Sequence, residues 1–318
     1  MPKPTSRLKT KVMIVLVLVV TISLYLFTGV SEQGSASKTT SCATAGLASV
    51  SFLSASDFVS NDTNWAGYIV ASDLQNPQSS VTSVTASWIV PTVVISSQDT
   101  FSAVWIGIGG FFDNTLIQTG TEQDSIQGQS EYSAWVEFLP QNSITIDSIT
   151  VSPGDQIDAT IQLVEANTDQ WSIYLKDITK NQECSGSFFY VSSKLSAEWI
   201  VERPDISSRR SRGTLASLAD VGTVDFASCQ IDIGGETGTI SSFPTVQSVM
   251  YETVQSVTNL GSTLLTTVSN LTANGSSFTV ETSPSAVPEL PALMLLPLIT
   301  VIGLLAIMKR KCLRFCQN

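Results

Sequence analysis

The stretch Ser193-Ser-Lys-Leu-Ser-Ala-Glu-Trp-Ile-Val-Glu202 sets carboxylates into a run that otherwise reads as a β-strand. Trp199, Ile200 and Val201 are aromatic or β-branched, and Pro204 stops the run. Side-chain alternation puts Ala197, Trp199 and Val201 on one face, fit for a core, and Glu198, Ile200 and Glu202 on the other. A carboxyl group fixed on a strand can take a proton from a reacting group and return it, which is general acid–base chemistry. A half-exposed strand with solvated glutamates satisfies the same pattern.

What else could do chemistry is bounded by an absence. The 318 residues include no histidine. That excludes Ser-His-Asp and Cys-His nucleophile activation, His-ligated zinc and any imidazole base. Proton transfer must come from carboxylates, Tyr, Lys or Cys, and no metal or organic cofactor is implied.

Charge is unevenly placed. Of the 16 basic residues, Lys3, Arg7, Lys9 and Lys11 precede the first apolar run, and Lys309, Arg310, Lys311 and Arg314 follow the last. All 27 acidic residues lie between, against eight basic ones, so residues 31–289 carry a net charge of −19. Such a surface excludes nucleic acid as a partner. It loses charge as pH falls, which suits an acid medium, although an ordinary acidic secreted protein has the same composition.

The flanks predict the topology. Residues 1–30 read as a signal peptide or signal anchor, with Val12–Val30 almost wholly apolar behind a basic start. Residues 31–56, rich in Ser, Thr and Ala, read as a linker or short pro-segment. A domain over 57–283 and a linker at 284–289 follow. Residues 290–308 then form an uncharged transmembrane helix with a basic tail at 309–318. Positive flanks at both ends put the domain on the outer face of the membrane. The lead-in Val287-Pro-Glu-Leu-Pro291 resembles surface-anchoring tails of archaeal exported proteins. Asn61-Asp-Thr, Asn270-Leu-Thr and Asn274-Gly-Ser are glycosylation sequons that fit export. An oxidising exterior would favour a Cys184–Cys229 bridge, with Cys42 left over.

Within the domain, short β-type runs recur every 8–14 residues: 64–70, 81–90, 100–107, 132–138, 143–151, 156–165, 171–177, 186–191, 198–201, 215–226, 246–257 and 276–282. Turn signals at Ser152–Asp155, Asn167–Asp169 and Asn274-Gly275 separate several of them. No amphipathic helix and no repeat interrupts them. The class expected is all-β, an antiparallel sandwich or barrel.

Four further strings sharpen this: Asn64-Trp-Ala-Gly67, Trp105-Ile-Gly-Ile-Gly-Gly110, Leu116-Ile-Gln-Thr-Gly120 and Tyr132-Ser-Ala-Trp-Val-Glu137. Together with Ala197-Glu-Trp-Ile-Val-Glu202 they resemble the glutamic peptidases (eqolisins) over about Trp65 to Thr282. The resemblance implies a sandwich of two curved antiparallel sheets, concanavalin-like, with the site on a concave face. It implies an acid-acting endopeptidase with a Gln118/Glu198 dyad and no covalent intermediate. Glu198 would activate water, and Gln118 would stabilise the tetrahedral oxyanion of a peptide or protein substrate. Trp65, Trp105, Glu122, Tyr132, Trp135, Glu137 and Glu202 match positions that line or support the family's cleft, and each tryptophan also fits an ordinary core. Glu202 either raises the Glu198 pKa or stays solvated. Two positions depart from the fungal pattern: Gly109 stands where an aspartate follows Trp-x-Gly, with Asp113 a distant substitute, and Glu122 replaces an aspartate.

Two other readings compete. A non-catalytic glycan-binding module would use the same aromatic face, and a glycoside hydrolase would pair Glu137 with Glu198. The amide separates them, since only the peptidase requires Gln118 beside Glu198.

Overall fold

A computed structural model of the chain describes residues 58–206, 214–255 and 260–283. The signal or anchor, the linkers, the C-terminal apolar run and Cys42 lie outside the described residues. No helix among the described residues is long and apolar enough to cross a membrane.

The strands in chain order are β1 (Val59–Asp62), β2 (Trp65–Ala71), β3 (Val81–Ile89), β4 (Ala103–Gly109), β5 (Leu116–Ile126), β6 (Gln129–Phe138), β7 (Ile144–Thr145), β8 (Gln156–Glu165) and β9 (Gln170–Asp177). They continue with β10 (Gln182–Phe189), β11 (Ser196–Glu202), β12 (Thr223–Ile233), β13 (Glu236–Thr239), β14 (Thr245–Gln255), β15 (Leu260–Leu264), β16 (Thr266–Val268) and β17 (Phe278–Thr282). A single 3₁₀ turn, Ile240–Ser242, is the one helical element among the described residues. Nine strands form one sheet in the order β1-β14-β2-β11-β4-β5-β6-β7, with β15 on β14. Eight form the other, β10-β9-β8-β3-β12-β17-β16, with β13 on β12. The ladders between these strands are antiparallel except β1 on β14. The expected all-β sandwich is therefore the architecture.

The reason lies in the alternation. β9 reads Gln-Trp-Ser-Ile-Tyr-Leu-Lys-Asp, and Trp171, Ile173 and Leu175 are buried while the residues between them are half-exposed. β11 and β4 behave differently, because almost every position is buried. Ala197, Trp199 and Val201 enter the main core between the sheets with Trp88, Trp171 and Phe226. Ile200 instead joins a second apolar cluster of Ile69, Ala103, Trp105, Leu116, Trp135 and Val246 on the other face of the nine-stranded sheet. That sheet is covered on both faces at its centre, and the second face carries the acids of β11. Trp199 anchors the first: fully buried, it donates its indole N–H to the Thr85 carbonyl across the sandwich at 2.8 Å.

Three expectations need correction. Residues 143–151 form only the two-residue β7, and Ile146, Ile149 and Val151 are buried from irregular backbone. The run 215–226 becomes a strand only at Thr223. Ala216, Leu218 and Ala219 are buried in a connection whose backbone bonds to Pro204 and Phe101. Cys184 and Cys229 are both free thiols. They sit on β10 and β12 of one sheet, four strand positions apart, which is about 19 Å at the usual ~4.8 Å spacing. A disulfide requires Cα atoms within ~7 Å.

Candidate active site

Hydrogen-bond register lines up one row of residues across the centre of the nine-stranded sheet. Glu198 on β11 faces Gly107 on β4, Gly107 faces Gln118 on β5, and Gln118 faces Glu137 on β6. Two strand spacings, about 10 Å, separate the backbones of Glu198 and Gln118. Gly107 carries no side chain of its own between them, and the Trp105 ring, Leu116 and the Glu198 carboxyl close over it. A Cβ at position 107 would lie 2.7 Å from the Trp105 ring, 2.9 Å from Leu116 Cδ1 and 3.3 Å from Glu198 Oε2. The Trp-x-Gly string thus has a local physical reason. Gly107→Ala is expected to displace the Glu198 carboxyl, costing about 1–3 kcal/mol of stability and most of any turnover. Denaturant unfolding alongside an activity assay of the variant checks this.

Glu198 is completely buried, and neither carboxyl oxygen has a hydrogen-bond partner. Burial pushes its pKa well above the glutamate range. The Ser196 hydroxyl nearby eases this without the geometry of a full bond, and the charge of Asp113 adds to it. Gln118 is also buried, 5% exposed. It donates an Nε2–H to Glu137 Oε2 at 2.5 Å, which fixes the amide, while its Oε1 has no partner. Burial raises the Glu137 pKa as well, partly offset by the Gln118 bond.

The next rows on this face hold the aromatics and more acid. Ile200 faces Trp105, Trp105 faces Gly120 and Gly120 faces Trp135. Glu202 faces Ala103, Ala103 faces Glu122 and Glu122 faces Ser133. Trp65 and Trp105 meet edge to face at 5.0 Å. Trp105 Nε1–H bonds Glu202 Oε2 at 2.8 Å, and Asn64 Nδ2–H bonds Glu202 Oε1 at 3.2 Å. Glu202 is therefore not solvated: burial carries its pKa up to about 7 despite these donors. Ser133 Oγ–H bonds Glu122 Oε2 at 2.9 Å, and burial raises Glu122 too. A cavity of about 650 Å³ runs along β5, lined by Leu116, Gln118, Glu122 and Asp124 on that strand and by Trp65, Trp135, Glu137 and Glu202 from its neighbours. Glu198 is not among its lining residues and is out of solvent.

Of the residues expected to line or support the cleft, Tyr132 is not brought to this face. One residue out of phase with Ser133 and Trp135, it packs against the main core and its hydroxyl accepts the Val93 N–H at 2.9 Å. Its role is to brace the sandwich. The Gly109 departure also has a cause. Gly109 has φ +88°, and a Cβ there would meet the Thr115 carbonyl oxygen at 2.3 Å, so no aspartate fits. Asp113 sits in the loop after it, accepting the Thr115 N–H and hydroxyl, and its charge reaches Glu198. Asp124 was not anticipated. It lines the cavity, accepts the Ser102 N–H at 3.1 Å and is raised by burial to about 7. Period-2 counting from Gln118 would have found it had Leu116–Ile126 been read as a strand.

The two-sheet sandwich thus carries a buried carboxyl and an amide in one row of its nine-stranded sheet. The Peptidase A4 family model matches residues 63–281. Aspergillopepsin-2 of Aspergillus niger is 29% identical over 198 residues, 55% of this chain and 66% of that protein, so the match spans just under two thirds of it. Scytalidopepsin B of Scytalidium lignicola is 29% identical over 199 residues, 59% of this chain and 71% of that protein. The crystal structure of scytalido-glutamic peptidase with a transition state analog inhibitor superposes with a TM-score of 0.55 at 23% identity, covering 70% of this chain and 99% of that one. The chain belongs to the peptidase A4 family, the glutamic peptidases.

Proposed function

We propose that the chain is an endopeptidase in which Glu198 is the general base and acid and Gln118 the oxyanion donor. The observation that carries this is the Glu198–Gly107–Gln118–Glu137 row, in which only a glycine separates the acid from the amide. In the carboxylate form Glu198 takes a proton from a water as the water oxygen bonds to the scissile carbonyl carbon. The carbonyl oxygen gains negative charge, and the Gln118 N–H not engaged by Glu137 donates to it. Collapse breaks the C–N bond, and Glu198 returns its proton to the departing amine. Glu137 is a positioning residue: accepting one amide hydrogen, it keeps the Gln118 NH₂, not its oxygen, available.

Because Glu198 is raised, the acid limb of turnover is expected above the ordinary glutamate pKa of about 4.3, in weak rather than strong acid. Gln118 stands in register between Glu137 and Glu198, which disfavours pairing those acids as a glycosidase would. We place the domain on the outer face of a membrane, on the strength of the apolar runs 12–30 and 290–308 and their basic flanks.

The test is cleavage of a denatured protein by the full-length chain across pH 3–8, with and without pepstatin, beside Gln118→Ala. The expected result is pepstatin-insensitive cleavage that the variant lowers on the order of 10²–10³. A folded but inert wild type, or a variant of undiminished rate, overturns the reading.

A further inference from the structure

The chain leaves the described domain at one end of the sandwich, where β17 stops at Thr282. The Thr282 N–H bonds the Gly222 carbonyl, its hydroxyl donates to Asp220 Oδ1 at 3.2 Å, and the Ser283 N–H bonds the Leu265 carbonyl. The apolar run 290–308 begins seven residues after Ser283, a stretch that spans at most about 25 Å when fully extended. A bilayer crossed by that run therefore lies close to this end of the domain.

The surface at this end is apolar. Val94 and Ile95, 55% and 51% exposed, lie on the connection from β3 to β4, and the Val94 N–H bonds the carbonyl of Asp220, the residue that also holds Thr282. Exposed Leu264 directly precedes the residue that holds Ser283. Ile89 and Ile178, also exposed, flank Gln156 at the same end of the eight-stranded sheet. Apolar side chains scattered singly over a surface are ordinary, whereas a group of them gathered round the chain exit marks a contact. The acidic domain gains nothing from anionic headgroups, so apolar insertion is what can hold it against lipid.

The cleft reaches the same end. Ser96, next to Ile95, donates its N–H to Ser125 Oγ at 2.9 Å near the end of β5. Phe101, on the same connection, lines the cavity, which follows β5 from Leu116 to Asp124. Gln118 stands seven residues before Ser125, about 23 Å along the strand, a distance that an extended polypeptide covers with about seven residues of its own.

Resting on the peptidase reading and on the outer-face placement, we propose that this end of the sandwich sits on the lipid bilayer, with Val94 and Ile95 among the headgroups, and that the cleft takes polypeptides anchored in the same membrane. Such a chain enters at the Asp124 end and meets the dyad about seven residues out from the bilayer. The tether already supplies proximity, so the apolar contact has only to orient the domain.

The experiment places the full-length chain in phosphatidylcholine vesicles that include a lipid with a diazirine in its acyl chain. After illumination, lipid adducts are mapped by mass spectrometry, and they are expected on Val94 and Ile95. Adducts confined to 12–30 and 290–308 overturn the proposal and leave the membrane placement standing. That is also the result if a second copy covers the surface instead. No adduct anywhere fails both. In the same vesicles, lipid-anchored peptides carry one cleavable sequence behind spacers of graded length. Cleavage should rise about tenfold once the spacer reaches about seven residues. The double variant Val94→Asp, Ile95→Asp should flatten that dependence while cutting the same peptide free in solution at the wild-type rate. A flat dependence in the wild type overturns the substrate class. If neither anchored nor free peptide is cut, the peptidase reading fails and the substrate class with it, while the adducts still decide whether the surface docks.

Discussion

Glu198→Gln is expected to lower turnover by roughly 10²–10⁴ while making the folded protein more stable at neutral and alkaline pH. Both effects follow from one buried carboxyl with no hydrogen-bond partner. The amide keeps the shape of the acid and cannot carry a proton between water and the leaving amine, so catalysis goes. Wild type must either hold a proton on Glu198 against the solvent or bury a charge, and the variant does neither. In acid, where Glu198 is protonated, the substitution should be nearly neutral. Above that range it should stabilise on the order of 1–3 kcal/mol, which in a domain of this size is a few degrees in Tm. Thermal unfolding of both proteins from pH 4 to 8, with cleavage rates at each pH, checks the pair of effects. Equal Tm values throughout would mean Glu198 is solvated, and unchanged turnover would remove it from the chemistry.

The domain is expected to be most stable in acid and to lose several kcal/mol as pH rises from about 4 to 8. Burial raises Asp124 and Glu202 to about 7, and it raises Glu122, Glu137 and Glu198 in the same direction. The sign follows from where protons are bound. Above pH ~4 the unfolded chain releases these protons while the folded chain retains them, so stability falls with pH. The contribution is fully present below the unfolded carboxyl values and is gone once pH passes the folded ones, near 7 for Asp124 and Glu202. Each pH unit costs about 1.4 kcal/mol per retained proton over that window. Few ion pairs counteract this, since the described ones number five and Glu198, Glu202, Asp124, Glu122 and Glu137 belong to none of them. Urea midpoints at pH 4, 6 and 8 should fall in that order. A midpoint that rises with pH would show that these carboxyls are ionised and paired in the fold.

The two effects conflict in a way that bears on activity. The base role proposed for Glu198 requires its carboxylate, which burial disfavours, whereas stability favours its protonated form. A substrate that completes the unpartnered donors and acceptors of Gln118 and Trp135 would supply part of what the ionised form lacks. Turnover and stability should therefore have different pH optima, with the stability maximum on the acid side.

Residue types and alternation alone narrow which residues can act and which face they share. No histidine left only carboxyl and amide chemistry, and the alternation in Ala197–Glu202 correctly separated Trp199 from Glu198 and Glu202, because strand geometry admits only two faces. It also placed most strands, where apolar and polar residues alternate. It failed where the site breaks that rule. β5 is polar yet buried along Leu116–Ser125 apart from half-buried Glu122, so it does not read as a strand, and Asp124 went unseen with it. The string that holds Tyr132 leaves open whether it lines or supports the cleft, and its phase on β6 sends it to the main core. Register, by contrast, comes from the assembled sheets. Strand order and pairing put Glu198, Gly107, Gln118 and Glu137 in one row, and packing over that row removes water from the acid. Neither follows from local spacing, because partners such as Glu198 and Gly107, 91 residues apart, are chosen by the core their strands jointly bury.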